Sequence, residues 1–227
     1  MTAPDELSPS AVVFDLDGTL VDSRGDIVRA CNAMLTSLAR GTLPDETVAG
    51  FVGDGARSLV RRALEATSPS VGAAEVDRGL ELFLDAYAAD PIGRTQLMPG
   101  AWAALEALAP LPLALCTNKS RRTTLLVLEG LDLTRHFTVV VCGDDLEHGK
   151  PHPLPLRTVA TRLGCRPERL VMVGDGPQDI ECGRAAGART IGVKGGVLPL
   201  ERLLSARPDV LLDTLHELPA YIASLSG

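Results

Sequence analysis

The sequence predicts an α/β fold, a Rossmann-like doubly wound parallel sheet core with an inserted α-helical segment. Short apolar runs at Val12–Phe14, Pro112–Thr117, Val139–Cys142, Leu170–Val173, Thr190–Val193 and Val210–Leu212 are separated mostly by stretches of helical period. Strands alternating with helices in this way imply a parallel sheet with right-handed crossovers. Between the first two runs lies a long block in which only helical periodicity recurs. The length of 227 residues, more than one average domain and fewer than two, leaves room for such an insertion.

Taken in order, Val12 to Phe14 reads as a buried strand that runs straight into the polar turn Asp15-Leu16-Asp17-Gly18-Thr19. From Gly25 to Arg40 the apolar positions Ile27, Ala30, Cys31, Met34, Leu35 and Leu38 follow a helical period. Leu59, Val60, Ala63 and Leu64, then Val76, Leu80, Phe83, Leu84 and Tyr87, give two more amphipathic helices. With no convincing strand signal in this block, the domain reading is a core of residues 1–22 and 98–227 and a helical insertion of residues 23–97. Pro99-Gly100 closes the insertion as a turn. Helices are then expected over Ala101–Leu108, from Ser120 as cap to about Leu128, over Pro153–Leu163, over Gln178–Ala186 and in the tail from Leu215.

Composition excludes several classes. Aromatics make up 3% of the chain and the formal net charge is -7, which argues against nucleic acid as a partner. No stretch is long and apolar enough to span a bilayer. The five cysteines are scattered without a C-x-x-C pair and the N-terminus has no apolar signal region, so core thiols and a cytoplasmic location are expected.

In open α/β sheets the ligand crevice lies outside the carboxyl ends of the strands, which puts Asp15 and Asp17 at its mouth. Two carboxylates this close repel, and a hard divalent cation, Mg²⁺ or Mn²⁺, is the simplest remedy. A turn that merely favours Asp, Gly and Thr is the bland alternative. Three further stretches bear on the choice. Thr117-Asn118 comes at the end of the second apolar run, where it reads as a helix cap or, with Ser120 capping instead, as a ligand. Lys150 sits in GKPHP between Gly149 and Pro151, one of only three lysines in the chain. VMVGDGPQDIECGRAAGA, residues 171–188, places Asp175 at a strand end and Asp179 at the start of a helix, where it can serve as N-cap.

DLDGTLVDS, Thr117-Asn118, GKPHP and VGDGPQD resemble, in order, the four motifs of the haloacid dehalogenase-like hydrolases, a superfamily rich in Mg²⁺-dependent phosphatases. The resemblance implies Asp15 as nucleophile and Asp17 as general acid and base, with its backbone carbonyl on the metal. Both roles also suit the residues as they stand, since a carboxylate can attack phosphorus and a second one can move the proton. It further implies phosphate binding by Thr117, Asn118 and Lys150, metal ligation by Asp15, Asp17 and Asp175, and support from Asp179. Gly176 stands where the family often has Ser, Thr or Asn. The insertion would be a cap that closes over the site and chooses the substrate. Within it, Phe51 to Arg57 resembles the substrate loop of phosphoglycolate phosphatases, making Gly53, Asp54, Gly55 and Arg57 specificity residues, with Arg57 a bidentate partner for a carboxylate. A Gly-rich interhelical turn with a solvated Arg57 is the plainer reading.

The expected partner is a small phosphorylated metabolite, most specifically 2-phosphoglycolate, acted on by a monomer or homodimer. A phosphosugar mutase shares all four motifs, other small-molecule phosphatases or pyrophosphatases share the chemistry, and a non-catalytic phosphate-binding protein on the same fold remains a remote alternative. The insertion contains no lysine, so a Schiff-base phosphonate hydrolase of the usual kind is excluded.

Overall fold

The computed structural model describes residues 8–68, 70–196 and 198–225. The core strands are β1 (Ala11–Phe14), β4 (Leu113–Cys116), β5 (Val139–Val141), β6 (Leu170–Gly174), β7 (Arg189–Val193) and β8 (Val210–Leu212). They form one six-stranded parallel sheet in the order β5-β4-β1-β6-β7-β8. A short antiparallel ribbon pairs β2 (Val21–Asp22) with β3 (Gln96–Leu97).

β1 lies between β4 and β6, with Val12 opposite both Leu113 and Val171. All four of its residues are fully buried. Val12 and Phe14 pack on one side of the sheet and Ala11 and Val13 on the other, which explains why the run is apolar without alternation. From β1 the strand order runs outward both ways, so the reversal point lies at the carboxyl ends of β1, β4 and β6.

The helices linking these strands are α5 (Ala101–Ala107), α6 (Arg121–Gly130), α7 (Leu154–Leu163), α8 (Pro177–Ala186) and α9 (Leu200–Ser205), and α10 (Leu218–Ser224) follows β8. Ser120 caps α6 as the sequence suggests, its hydroxyl accepting from the Thr123 N–H. Between the ribbon strands lie α1 (Arg24–Ser37), α2 (Asp45–Ala49), α3 (Ala56–Thr67) and α4 (Ala73–Ala89). Their buried faces join the same apolar cluster that covers Val12 and Phe14.

Several elements escape a periodicity reading because they are too short to show a period. Among them are the two-residue β2 and β3, the five-residue α2 and the six-residue α9. The strand β3 has a structural task. Its pairing with β2, extended by the Met98 N–H to Leu20 carbonyl bond of 2.9 Å, carries both ends of the helical insertion out of the core side by side.

Candidate active site

Asp15 follows the last residue of β1, Thr117 follows β4 and Asp175 follows β6, so three neighbouring parallel strands deliver their first polar residue to one crevice. Lys150 reaches the same place from the loop between β5 and α7. Its ammonium lies 2.8 Å from Asp15 Oδ1 and 2.6 Å from Asp179 Oδ1. Burial alone would lower the Lys150 pKa. The two carboxylates outweigh it and hold the ammonium well above its usual value. Removing one member of such a buried set typically costs about 3–5 kcal/mol, because a charge is left without a partner.

Burial acts on Asp15 in the opposite sense, pushing its carboxyl up to about 6 against the pull of Lys150, with Asp179 and Asp17 adding repulsion. The side chain nevertheless keeps 15% of its surface open, enough to meet a ligand. Asp179 has two tasks. Its Oδ2 accepts the Gly176 N–H at the start of α8 at 3.0 Å, while Oδ1 holds Lys150. Asp179 is not the N-cap anticipated from the sequence: Gly176 holds that position, and Asp179, at the third helical residue, reaches back to it as the acidic member of a capping box.

Asp15, Asp175 and Asp179 bring carboxylate oxygens within 4.8 Å of one another. Asp175 is fixed by the Thr19 hydroxyl, which donates to Oδ1 at 2.8 Å, and by two glycines pressed against it. A Cβ on Gly18 would stand 2.4 Å from Asp175 Oδ2, and one on Gly196 2.0 Å. Gly18 also has φ +89°, a conformation in which a side chain is strained. A cluster of hard oxygen donors held this close could hold a divalent metal ion. Asp17 is more committed than the sequence suggests. Ser23 Oγ donates to its Oδ1 at 2.5 Å, and the Lys119 ammonium lies 3.1 and 3.2 Å from its two oxygens. Ser23, at the N-cap of α1, therefore makes no side-chain cap.

A cavity of about 60 Å³ adjoins these groups. Asp15, Asp17, Thr117, Asn118 and Lys119 line its core side, and Gly53, Gly55 and Ala56, at the start of α3, contribute from the insertion. Thr117 Oγ1 accepts from the Lys119 N–H at 3.1 Å, which leaves its proton for a ligand.

Three of the expected site residues are engaged by protein partners. The Asn118 side chain, expected on phosphate, is occupied by the protein. Its amide donates to the Gly53 carbonyl at 2.9 Å and the Lys150 carbonyl at 2.8 Å, and its oxygen accepts the Lys150 N–H at 2.8 Å. Arg57, expected to meet a substrate carboxylate, lies 2.6 Å from Asp77 and is 58% exposed. Asp54 is likewise turned to protein, accepting from Gln178 Nε2 at 2.7 Å and pairing with Arg62 at 2.5 Å. The loop thus fastens the insertion to the core, while Gly53 and Gly55 remain beside the cavity.

Thr19, Ser23, Tyr87, Lys119 and Gln178 also stand at the site, though the motifs assign them no role. Only Lys119 carried a signal. The scarcity of lysine that singled out Lys150 applied equally to it, two residues after Thr117.

Residues 12–193 match the family model described as haloacid dehalogenase-like hydrolase. The chain belongs to that family. Among curated relatives, the phosphoglycolate phosphatase of Chromobacterium violaceum is 41% identical over 194 residues, covering 82% of this chain and 85% of its own. Phosphoglycolate phosphatase 1 of Pseudomonas aeruginosa is 36% identical over 214 residues, covering 92% and 78%. A solved structure described as a predicted phosphoglycolate phosphatase from Haemophilus somnus superposes with a TM-score of 0.87 at 25% identity, covering 97% of this chain and 99% of that one. This member of the hydrolase family is a phosphatase, and its relatives act on small phosphorylated substrates. Among the described residues no helix is long and apolar enough to cross a membrane.

Proposed function

We propose that the enzyme hydrolyses 2-phosphoglycolate to glycolate and phosphate, with Mg²⁺, through a phosphorylated Asp15. The observation that carries the chemistry is the Asp15 carboxylate 2.8 Å from Lys150, within a carboxylate cluster at the mouth of a small cavity. The substrate assignment draws on the relatives named phosphoglycolate phosphatase and on the size of that cavity.

An Asp15 oxygen attacks phosphorus and the phosphorus–oxygen bond to glycolate breaks. Asp17 gives its proton to the departing alkoxide, then takes one from the water that attacks the phosphoaspartate and releases phosphate. Lys150 offsets the charge of Asp15 and the phosphoryl oxygens, and the Thr117 hydroxyl donates to one of them. Asn118 acts on phosphate indirectly, by fixing the Lys150 main chain. The side chains of Asp15 and Asp175 and the carbonyl of Asp17 would hold the cation, with Asp179 supporting. When bound, it neutralises negative charge that develops on the phosphoryl group.

Residues 23–97 act as the cap that excludes water, and the Asn118–Gly53 and Gln178–Asp54 bonds are the contacts that close it. Gly53 and Gly55 bring the N-terminal end of α3 to the cavity, a favourable end for an anion. A reducing cytoplasm suits the five free thiols.

The test is kcat/KM for phosphate release with Mg²⁺ on 2-phosphoglycolate, glucose 1-phosphate, glucose 6-phosphate, a nucleoside monophosphate and pyrophosphate. A preference of about a hundredfold, roughly 2.7 kcal/mol of transition-state discrimination, is expected for 2-phosphoglycolate. Flat activity would discard that substrate, and no release from any of them would discard the chemistry.

A further inference from the structure

Two hydrogen-bond donors that line the cavity, Lys119 and Tyr87, are not used by the hydrolysis as described. Lys119 projects from the turn after β4, and Tyr87 comes from α4 of the insertion. The ammonium lies 4.2 Å from the centre of the Tyr87 ring. Tyr87 is fully buried, and its hydroxyl proton has no acceptor among the described residues. A buried phenol proton without an acceptor is costly, so an occupant that supplies one is favoured.

The protein does not supply that acceptor. Asp17, the carboxylate on Lys119, already receives Ser23 as well as the ammonium. Burial would lower the Lys119 pKa, but Asp17 and Tyr87 outweigh it, so the group is a permanent cation. Lys119 and Tyr87 line the same cavity as Asp15 and Thr117, and much of the remaining wall is apolar, from Ile27, Val52, Leu59 and Phe83. Two donors, a nucleophile and apolar side chains lining one small cavity suit a short molecule with a phosphoryl group and a second anion.

We propose that Lys119 and Tyr87 together bind the carboxylate of the substrate, the ammonium as its counter-ion and the phenol as a hydrogen-bond donor. The inference rests on the 2-phosphoglycolate reading and supplies the recognition that Arg57, turned outward to Asp77, does not. Because Tyr87 belongs to the insertion and Lys119 to the core, the carboxylate bridges the two parts of the molecule.

The experiment compares kcat/KM for 2-phosphoglycolate and ethyl phosphate, which carries a methyl group in place of the carboxylate, with Mg²⁺. The ratio of the two is the readout, because it cancels damage to the shared phosphoryl chemistry. Tyr87→Phe keeps the ring and its packing and is expected to lower the ratio about tenfold, chiefly through KM for 2-phosphoglycolate. Lys119→Met is expected to lower it about a hundredfold, with partial recovery in Lys119→Arg, whereas Arg57→Ala keeps it within about twofold. A wild-type enzyme that discriminates strongly, with Tyr87→Phe and Lys119→Met ratios both within about twofold of it, would overturn the assignment of these residues and leave the substrate standing. A wild-type ratio near one would overturn both.

Discussion

Replacing Asn118 separates a scaffold role from a phosphate-binding one. The side chain makes three hydrogen bonds, to the carbonyls of Gly53 and Lys150 and from the Lys150 N–H, at 2.8 to 2.9 Å. At a net value of about 1 kcal/mol each, Asn118→Ala should lose about 3 kcal/mol of stability. Compensation by water should be limited for the two bonds to Lys150, because Gly149 packs so closely that a Cβ there would lie 2.7 Å from Asn118 Oδ1. With a denaturant slope of about 2–3 kcal/mol per molar urea, the midpoint should fall by about 1 M or more. Asn118→Asp keeps the acceptor and sets a carboxylate oxygen against two carbonyls, so its loss should be at least as large. The assay is urea unfolding followed by circular dichroism, paired with kcat/KM on the same preparations. A side chain that only ligates phosphate would behave differently: activity would collapse while the urea midpoint stayed within about 0.2 M of wild type, and that result would refute the reasoning.

Other consequences are as direct. Asp15 attacks only when ionised, and burial raises its carboxyl to about 6, so kcat/KM at low Mg²⁺ should rise with pH through that region. Protons and Mg²⁺ compete for the same oxygens, so more Mg²⁺ should move the midpoint down, and a pH profile at two Mg²⁺ concentrations that showed it fixed or rising would count against the metal assignment. Gly18→Ala would push a methyl group toward Asp175 in a backbone conformation that disfavours side chains, and titration calorimetry should show Mg²⁺ binding weakened about tenfold or more. Cys165, the one cysteine that is not buried, should react first with an aromatic disulfide reagent. Burial raises Cys31 to about 12 and Cys142 and Cys182 to about 11, so those thiols should wait for unfolding, and rapid modification of all five would contradict the core packing.

The parts of the fold that the sequence revealed are those with a period or a sharp boundary. Apolar runs such as Val12–Phe14 are unambiguous because a parallel strand is buried on both faces, and α6 was placed well by its Ser120 cap. The ribbon strand β3 and the helix α2 contain too few residues to show alternation or amphipathicity. In the candidate site, the acids and Lys150 were legible from strand-end position and flanking turn residues. The partners of Asn118, Asp54 and Arg57 are not legible for a physical reason: a motif gives residue type and position but not the direction of a side chain. Arg57 and Asp54 lie in the expected loop, yet each turns to a neighbour of opposite charge. Tyr87 lies on the buried face of α4, as its helical spacing predicts. That its hydroxyl would lie beside Lys119, which arrives from a strand end 32 positions further along, depends on tertiary packing.

The central claim, that Asp15 carries the phosphoryl group, is tested most directly by quenching the enzyme during turnover of 2-phosphoglycolate with Mg²⁺ and reducing it with borohydride. Peptide mass spectrometry should then find homoserine in place of Asp15 and at no other aspartate, and Asp15→Asn should release no phosphate above background. Reduction at a different acid, or undiminished turnover by Asp15→Asn, would contradict the account.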